Sequence, residues 1–248
     1  MKPNRIEPAC ELIPRSDSTE PSTRAQAEGL AEVLLRGALQ LRGFMNIVCS
    51  DLEGILVPEI WINVAEKTGI EELRLTTRDI PDYNVLMKKR LAILDEKGLK
   101  ITDIQGVIAT MDPLEGALEF LNWLRSRTQI IVVSDTFVQF AGPLMEKLGW
   151  PTLFCNKLSI DSDGSIVGYN LRQKDGKREA VLSLKRLNYY TISIGDSYND
   201  ITMLKEADTS ILFRPPENVK KEFPEFPVTY SYEELKTIIQ DIIPNDSA

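Results

Sequence analysis

Residues 47–56 read Ile47-Val48-Cys49-Ser50-Asp51-Leu52-Glu53-Gly54-Ile55-Leu56. A short apolar run such as Ile47-Val48-Cys49 suits a strand buried on both faces. It stops at an acidic pair, Asp51 and Glu53. The pattern recurs twice. Ile130-Ile131-Val132-Val133 ends in Ser134-Asp135-Thr136, and Thr191-Ile192-Ser193-Ile194 ends in Gly195-Asp196-Ser197-Tyr198-Asn199-Asp200. Three apolar strands that each stop at Asp or Ser place oxygen ligands along one edge of a parallel sheet. That edge is where open α/β sheets bind ligands. Clustered carboxylates there attract a hard cation such as Mg²⁺, and one of them can act as a nucleophile.

Outward from these strands, β and α patterns alternate. A helical region is expected over about 59–110, with Tyr83, Leu86, Met87, Arg90, Leu91 and Leu94 at i, i+3, i+4 spacing. Asp112-Pro113 marks the start of a further helix over 114–127. Helices are also expected at 137–148, closed by Gly149, and near 176–187 and 232–243. Strands are expected at 152–156 and 209–213. Asp161-Ser162-Asp163-Gly164 is turn sequence, so 152–156 should lead into a hairpin. The class is therefore α/β: a Rossmann-like, doubly wound parallel sheet with a helical cap inserted after the first strand. The cap is drawn at 58–111 and the core at 45–57 and 112–248.

Residues 1–44 differ. Pro3, Pro8, Pro14 and Pro21 punctuate a polar stretch that reads as disordered. Leu30, Val33, Leu34, Ala38 and Leu41 then follow helical spacing. The functional domain is expected to begin at Met45, with the preceding segment an appendage or the result of an upstream start codon.

Composition narrows the chemistry. The 248 residues carry a net charge of −8, which argues against nucleic acid or an anionic membrane as the main partner. Three cysteines, Cys10, Cys49 and Cys155, have no close pairing; Cys49 and Cys155 lie in apolar runs and read as buried reduced thiols, with the cytoplasm as the compartment. Histidine is absent, which excludes Ser-His-Asp and Cys-His catalysis and histidine-ligated zinc. Acid–base work must come from carboxylates, Lys, Tyr, Cys or water.

Each candidate also has a structural reading. Asp51 could attack a phosphoryl group and Glu53 could protonate the leaving oxygen, yet Asp-x-Glu also suits a solvated turn. Asp196 could bind Mg²⁺ opposite Asp51, or it or Ser197 could cap a helix. Asp200 suits a first helical turn without any metal. Ser134 could hold phosphate oxygens or act as a cap, and for Thr136 capping is the better reading. Lys177, at a helix start where a cation opposes the dipole, could face Asp51 and phosphate, or be solvated surface. Arg90 stands beside Lys88 and Lys89, as an exposed helix residue would.

Taken together, Asp/Glu, Ser, Lys and Asp/Asp in this order resemble the haloacid dehalogenase superfamily of phosphotransferases over nearly all of 45–243. The helical cap resembles that of its phosphoserine phosphatases. There, Glu59 and Arg90 match the acid and arginine that bind the substrate's α-ammonium and α-carboxylate. Two departures stand out: Asp51-Leu52-Glu53 in place of Asp-x-Asp, and Ser134-Asp135-Thr136 in place of Ser-Gly-Gly. With Val57-Pro58-Glu59-Ile60-Trp61 and Thr77-Arg78-Asp79-Ile80-Pro81-Asp82-Tyr83, both are similar to the bacterial phosphoserine:homoserine phosphotransferases. The resemblance implies catalysis by Asp51, Glu53 and Lys177. It implies substrate contacts from Glu59, Arg90, Ser134, Asp135 and Asn199. It implies a Mg²⁺ site of Asp51, the Glu53 carbonyl and Asp196, with Asp200 beside them. Phosphoserine and homoserine would be the substrates, and the enzyme a homodimer. A plain phosphoserine phosphatase and a non-catalytic metabolite-binding protein remain the alternatives.

Overall fold

The computed structural model of the protein describes residues 45–76, 79–80 and 82–243. The expectations for 1–44 lie outside the described residues, as do Thr77, Arg78 and Pro81 of the quoted motif.

The strand read first is central to the sheet. β1 (Met45–Ser50) pairs in parallel with β2 (Gln129–Phe137) on one side and β5 (Tyr189–Gly195) on the other. Val48 lies opposite both Ile130 and Ile192, so the three apolar runs meet in register. β3 (Thr152–Ile160) joins β2, while β6 (Thr209–Phe213) and the short β7 (Val228–Thr229) extend beyond β5. Antiparallel β4 (Ile166–Asn170) completes the order β4-β3-β2-β1-β5-β6-β7. The chain thus leaves β1 in one direction and later returns on its other side. The crevice past the ends of β1, β2 and β5 is the switch point where such sheets bind ligands.

Both faces are covered. Ile47, Cys49 and Val133 pack with Ala180, Val181 and Leu184 of α6 (Gly176–Arg186) and Met203 of α7 (Ile201–Glu206). On the other face Val48, Val132, Ile192 and Ile194 share a core with α4 (Ala117–Arg125), α5 (Val138–Lys147) and α9 (Tyr232–Ile242). Strands buried on both faces tolerate continuous apolar sequence, which is why they were legible as runs. Cys49 is fully buried and unpaired, its thiol pushed up to about 12 by burial. Cys155 is half-buried and also free.

The expected helical block is three helices: α1 (Ile60–Thr68), α2 (Tyr83–Glu96) and α3 (Ile101–Ala109), with a 3₁₀ turn at Glu71–Arg74. Gly69 and Gly98 adopt left-handed conformations, φ 69° and 65°, and separate them. Trp61, Val64, Met87, Ile104 and Ile108 belong to the same core as Val48, so the inserted helices share the sheet's hydrophobic interior.

Two local expectations are corrected. Asp112-Pro113 does not begin a helix; α4 starts at Ala117, because Leu114 N–H bonds Leu56 O (3.0 Å) and holds the return segment against the chain leaving β1. β2 runs on to Phe137, so Ser134 and Thr136 lie within a strand and cap nothing. Phe137 takes the cap position of α5 without a side-chain bond. The segment 214–231 holds α8 (Glu217–Glu222) and β7, both too short to show a period. The hairpin expectation holds: β3 and β4 pair across Asp161–Gly164, with Gly164 at φ 87°. Among the described residues no helix is long and apolar enough to cross a membrane.

Candidate active site

Asp51 follows β1 directly, and its N–H donates to Ile194 O of β5 (3.0 Å), extending the ladder by one bond. This leaves the carboxylate at the sheet edge, 4% exposed. The next residues turn sharply. Gly54 N–H donates to Val57 O (2.8 Å), and Leu56 and Val57 N–H both donate to Leu52 O. Gly54 sits at φ 77°, and a Cβ there would lie 2.5 Å from Asp196 Oδ2, so only glycine fits. The turn carries the chain from Glu53 to the start of α1, where Ile60 N–H donates to Glu53 Oε2 (2.8 Å). Glu53 and Glu59 are thereby brought into contact.

Asp196 and Asp200 stand past β5. Asp200 is fully buried. Its Oδ2 accepts from the N–H groups of Asp196 (3.0 Å) and Ser197 (3.2 Å), as a capping acid would. Its Oδ1 meets Lys177 Nζ at 2.7 Å. The first-turn reading of Asp200 is thus correct but incomplete, and the capping reading holds for Ser197, which takes the cap position of the 3₁₀ turn Tyr198–Asp200. Gly195 makes room for it, since a Cβ there would sit 2.4 Å from Asp200 Cβ. Lys177, the second residue of α6, is 3% exposed. It also reaches Asp51 Oδ1 at 2.9 Å and Asp135 Oδ2 at 3.6 Å. Its reading as solvated surface is overturned: α6 packs flat on the sheet and delivers Nζ into the acidic cluster.

One lysine therefore faces two buried carboxylates, Asp51 and Asp200, and the partly exposed Asp135, and the excess negative charge sets the electrostatics. Burial and Asp200 hold Asp51 well above the ordinary carboxylate range against the pull of Lys177. Burial and Asp200 push Asp196 up to about 7. Burial pulls the Lys177 ammonium down, but Asp200, Asp51 and Asp135 together keep it well above the usual lysine value. Oxygens of Asp51, Asp196 and Asp200 all lie within 4.8 Å of one another. A buried oxygen-only set with uncompensated charge fits a hard divalent cation.

The cleft above this cluster, about 740 Å³ with its open mouth, is walled by the inserted helices. Burial, then Glu59, pushes Glu53 up to about 8, against Ile60 N–H and Arg90, which pull it down. Burial beside Glu59 thus favours the protonated form of Glu53. Arg90 faces the cleft and is 6% exposed, whereas Lys88 and Lys89 are exposed; its reading as a surface residue is overturned. Burial lowers the guanidinium to about 10, opposed by Glu53, Tyr83 and Glu59, so it remains charged. On the β2 side Ser134 Oγ accepts from Thr136 N–H (3.2 Å), and Asp135 Oδ2 accepts from Asn199 Nδ2 (3.2 Å). Every residue singled out from the sequence borders this cleft except Asp200, which lies behind it.

Seven lining residues carry no site role in the sequence reading: Trp61, Ile62, Thr76, Tyr83, Leu86, Thr136 and Ser197. Tyr83 OH donates to Asp135 O (3.2 Å), joining α2 to β2. Ser197 Oγ lies 2.9 Å from Asp196 Oδ1. Trp61 and Tyr83 had a signal, since each is an aromatic at the first or second position of a cap helix, but core packing explains such aromatics equally well.

A buried carboxylate at a strand end, a buried lysine and further acids at a sheet switch point have the outline of an α/β hydrolase site. The family model of the haloacid dehalogenase-like hydrolases matches residues 45–208, and the chain belongs to that family. It is 63% identical over 192 residues to phosphoserine phosphatase ThrH of Pseudomonas aeruginosa, covering 77% of this chain and 94% of the relative. It is 62% identical over 192 residues to a phosphoserine phosphatase of Pseudomonas syringae, covering 77% and 81%. Among solved structures, it is similar to a phosphoserine phosphatase in apo form, with a TM-score of 0.65 at 25% identity, over 79% of this chain and 98% of that one. A phospho-aspartyl intermediate analogue of phosphoserine phosphatase shares the fold, with a TM-score of 0.63 at 24% identity, over 79% and 99%.

Proposed function

We propose that this chain is a Mg²⁺-dependent phosphoserine phosphatase that also passes the phosphoryl group to homoserine. The observation that carries this reading is a single cleft with two chemistries. Its floor holds Asp51, Lys177 and Asp196; its wall holds Glu53, Glu59 and Arg90. The floor suits a phosphoryl group, and the wall offers one acid and one guanidinium to the head of an α-amino acid. The two curated relatives support the substrate.

In this reading Arg90 grips the α-carboxylate and Glu59 the α-ammonium. Asp51 attacks phosphorus in line, and the bond to the serine oxygen breaks. Lys177 and Ser134 hold the non-bridging oxygens, and the Glu53 proton moves to the departing serine oxygen. An aspartyl-phosphate is left on Asp51. Glu53, now a carboxylate, takes the proton of water or of the homoserine hydroxyl, whose oxygen attacks phosphorus and frees Asp51. Asp51, Asp196 and the Glu53 carbonyl would hold Mg²⁺, with Asp200 behind them; the ion supplies neutralisation of charge on the transferring group. Asn199 and Asp135 line the phosphate side of the mouth. The 58–111 insertion acts as the cap, and the enzyme is taken to be a cytoplasmic homodimer. Homoserine shares the amino-acid head of serine with one more methylene, so the same clamp admits either acceptor.

The test is a product assay with Mg²⁺ and phosphoserine, with and without homoserine, counting free phosphate and phosphohomoserine separately. Phosphohomoserine formed at the expense of free phosphate is the expected result. Free phosphate alone, indifferent to homoserine, would leave a plain phosphatase. No turnover of phosphoserine would overturn the reading.

A pH dependence follows from Glu53. Its acid form is needed to protonate serine and is lost as pH rises through about 8. The kcat/KM for phosphoserine should therefore fall above that pH, roughly tenfold per unit. Glu53→Gln should remove this alkaline limb together with most of the activity. A limb that persists in the variant would assign it elsewhere.

A further inference from the structure

We infer that Trp61 is a positioning residue for substrate recognition, holding the Arg90 guanidinium flat so that its free edge faces the amino-acid head of the ligand. The inference rests on the reading of Arg90 as the carboxylate grip. Arg90 Cζ lies 4.5 Å over the centre of the Trp61 ring. Its Nη2 donates to Leu75 O (2.8 Å), and its Nη1 lies 3.7 Å from Met87 Sδ. Its Nε is buried and has no hydrogen-bond partner among the described residues. One face of the guanidinium is thus covered by an indole and one donor is tied to the backbone. A donor remains unspent on a side chain that borders the cleft. An unpaired buried N–H on a cation is costly in the empty protein and is relieved by an anionic ligand.

The ring is itself braced. Trp61 is 8% exposed and stands edge-on to Phe140 of α5 at 5.5 Å, and Phe140 meets Phe137 at the end of β2 at 5.7 Å. The orientation of a cap arginine is therefore set from the core: β2 and α5 hold Trp61, and Trp61 holds Arg90. A flat guanidinium matters because a planar carboxylate is recognised by a fork lying in its own plane. Stacking on indole is the strongest of the aromatic cation contacts and is strengthened out of water. The ring contacts of Trp61 run to Phe140 and Arg90, so it should act on binding of the amino-acid head and leave the chemistry alone.

The test compares phosphoserine with O-phosphoethanolamine, which lacks only the carboxylate. For Trp61→Leu, kcat/KM for phosphoserine is expected to fall about tenfold, mostly through KM, with the value for phosphoethanolamine unchanged. Trp61→Phe, which keeps a ring face, should recover most of the loss. An equal fall for both substrates would mean that Trp61 merely supports the fold, and would overturn the inference. Arg90→Lys separates the underlying reading. If it also fails to discriminate between the two substrates, the carboxylate grip itself is wrong. If Arg90→Lys discriminates and Trp61→Leu does not, only the positioning role falls.

Discussion

Asp51→Asn is expected to abolish turnover of phosphoserine, by at least ~10⁴-fold, while the folded protein still binds the ligand. The change removes the attacking oxygen's charge and leaves the shape of the site. A loss of ~10⁴ corresponds to roughly 5 kcal/mol of transition-state stabilisation, within what deletion of a covalent nucleophile costs. The fold should not suffer. Asp51 is one of three carboxylates crowded around Lys177, and it is held above the ordinary carboxylate range by burial and Asp200. Replacing it with a neutral isostere relieves repulsion, so the thermal midpoint of the metal-free variant should equal or exceed that of the parent. Single-turnover assays and isothermal titration with phosphoserine measure the two halves. Substantial residual turnover would place the nucleophile elsewhere, and loss of binding together with activity would make Asp51 a binding group only.

Lys177→Met should be the most damaging single change to stability. Nζ joins Asp51, Asp200 and Asp135, and its side chain is 3% exposed. Methionine fills the volume but strands Asp51 and Asp200 without a counter-charge. Breaking a buried pair from one side costs about 3–5 kcal/mol. For a domain of this size that lowers the thermal midpoint by roughly 6–20 °C. The sign with pH follows from the acids left behind. Without the lysine the folded pKa of Asp51, already raised, rises further above its unfolded value. Its neutral form is favoured in the folded state, so the deficit shrinks as pH falls and widens as pH rises. Mg²⁺ should recover part of the loss, because Asp51, Asp196 and Asp200 can accept a cation where the ammonium is lost. A variant as stable as the parent at pH 7 without Mg²⁺ would show that Lys177 does not hold the cluster together.

Most of the sheet edge was legible because strand ends announce themselves. Asp51, Ser134 and Asp196 each follow an apolar run, and a parallel sheet puts all such ends on one side. Lys177 left a weaker trace, a cation in the first turn of a helix, where the dipole disfavours it. Asp200 reads from the sequence as an acid of a first helical turn; it is one, and its second oxygen serves Lys177. The cap residues were harder. Helical spacing placed Leu86, Met87, Arg90 and Leu94 on one stripe, and the stripe is the buried one. Periodicity does not say whether a polar residue on a buried stripe faces a neighbour or a cavity. From its neighbours Lys88 and Lys89 alone Arg90 reads as surface; the packing of Trp61, Leu75 and Met87 around it places it inside.

By itself the sequence determined the sheet, its switch point and the kind of atoms that gather there. Those properties are local: apolar runs make strands, and the residue after each run sits at the edge. Only the tertiary structure decided that Glu53 lies against Glu59, that Nζ of Lys177 lies among three carboxylates and that Arg90 rests on an indole. Each of these joins residues from different elements, or across a turn that only Gly54 permits. Burial turns such neighbours into chemistry, by keeping Glu53 protonated and leaving Arg90 with a donor to spare. Desolvation is a property of the packed interior that no residue carries alone.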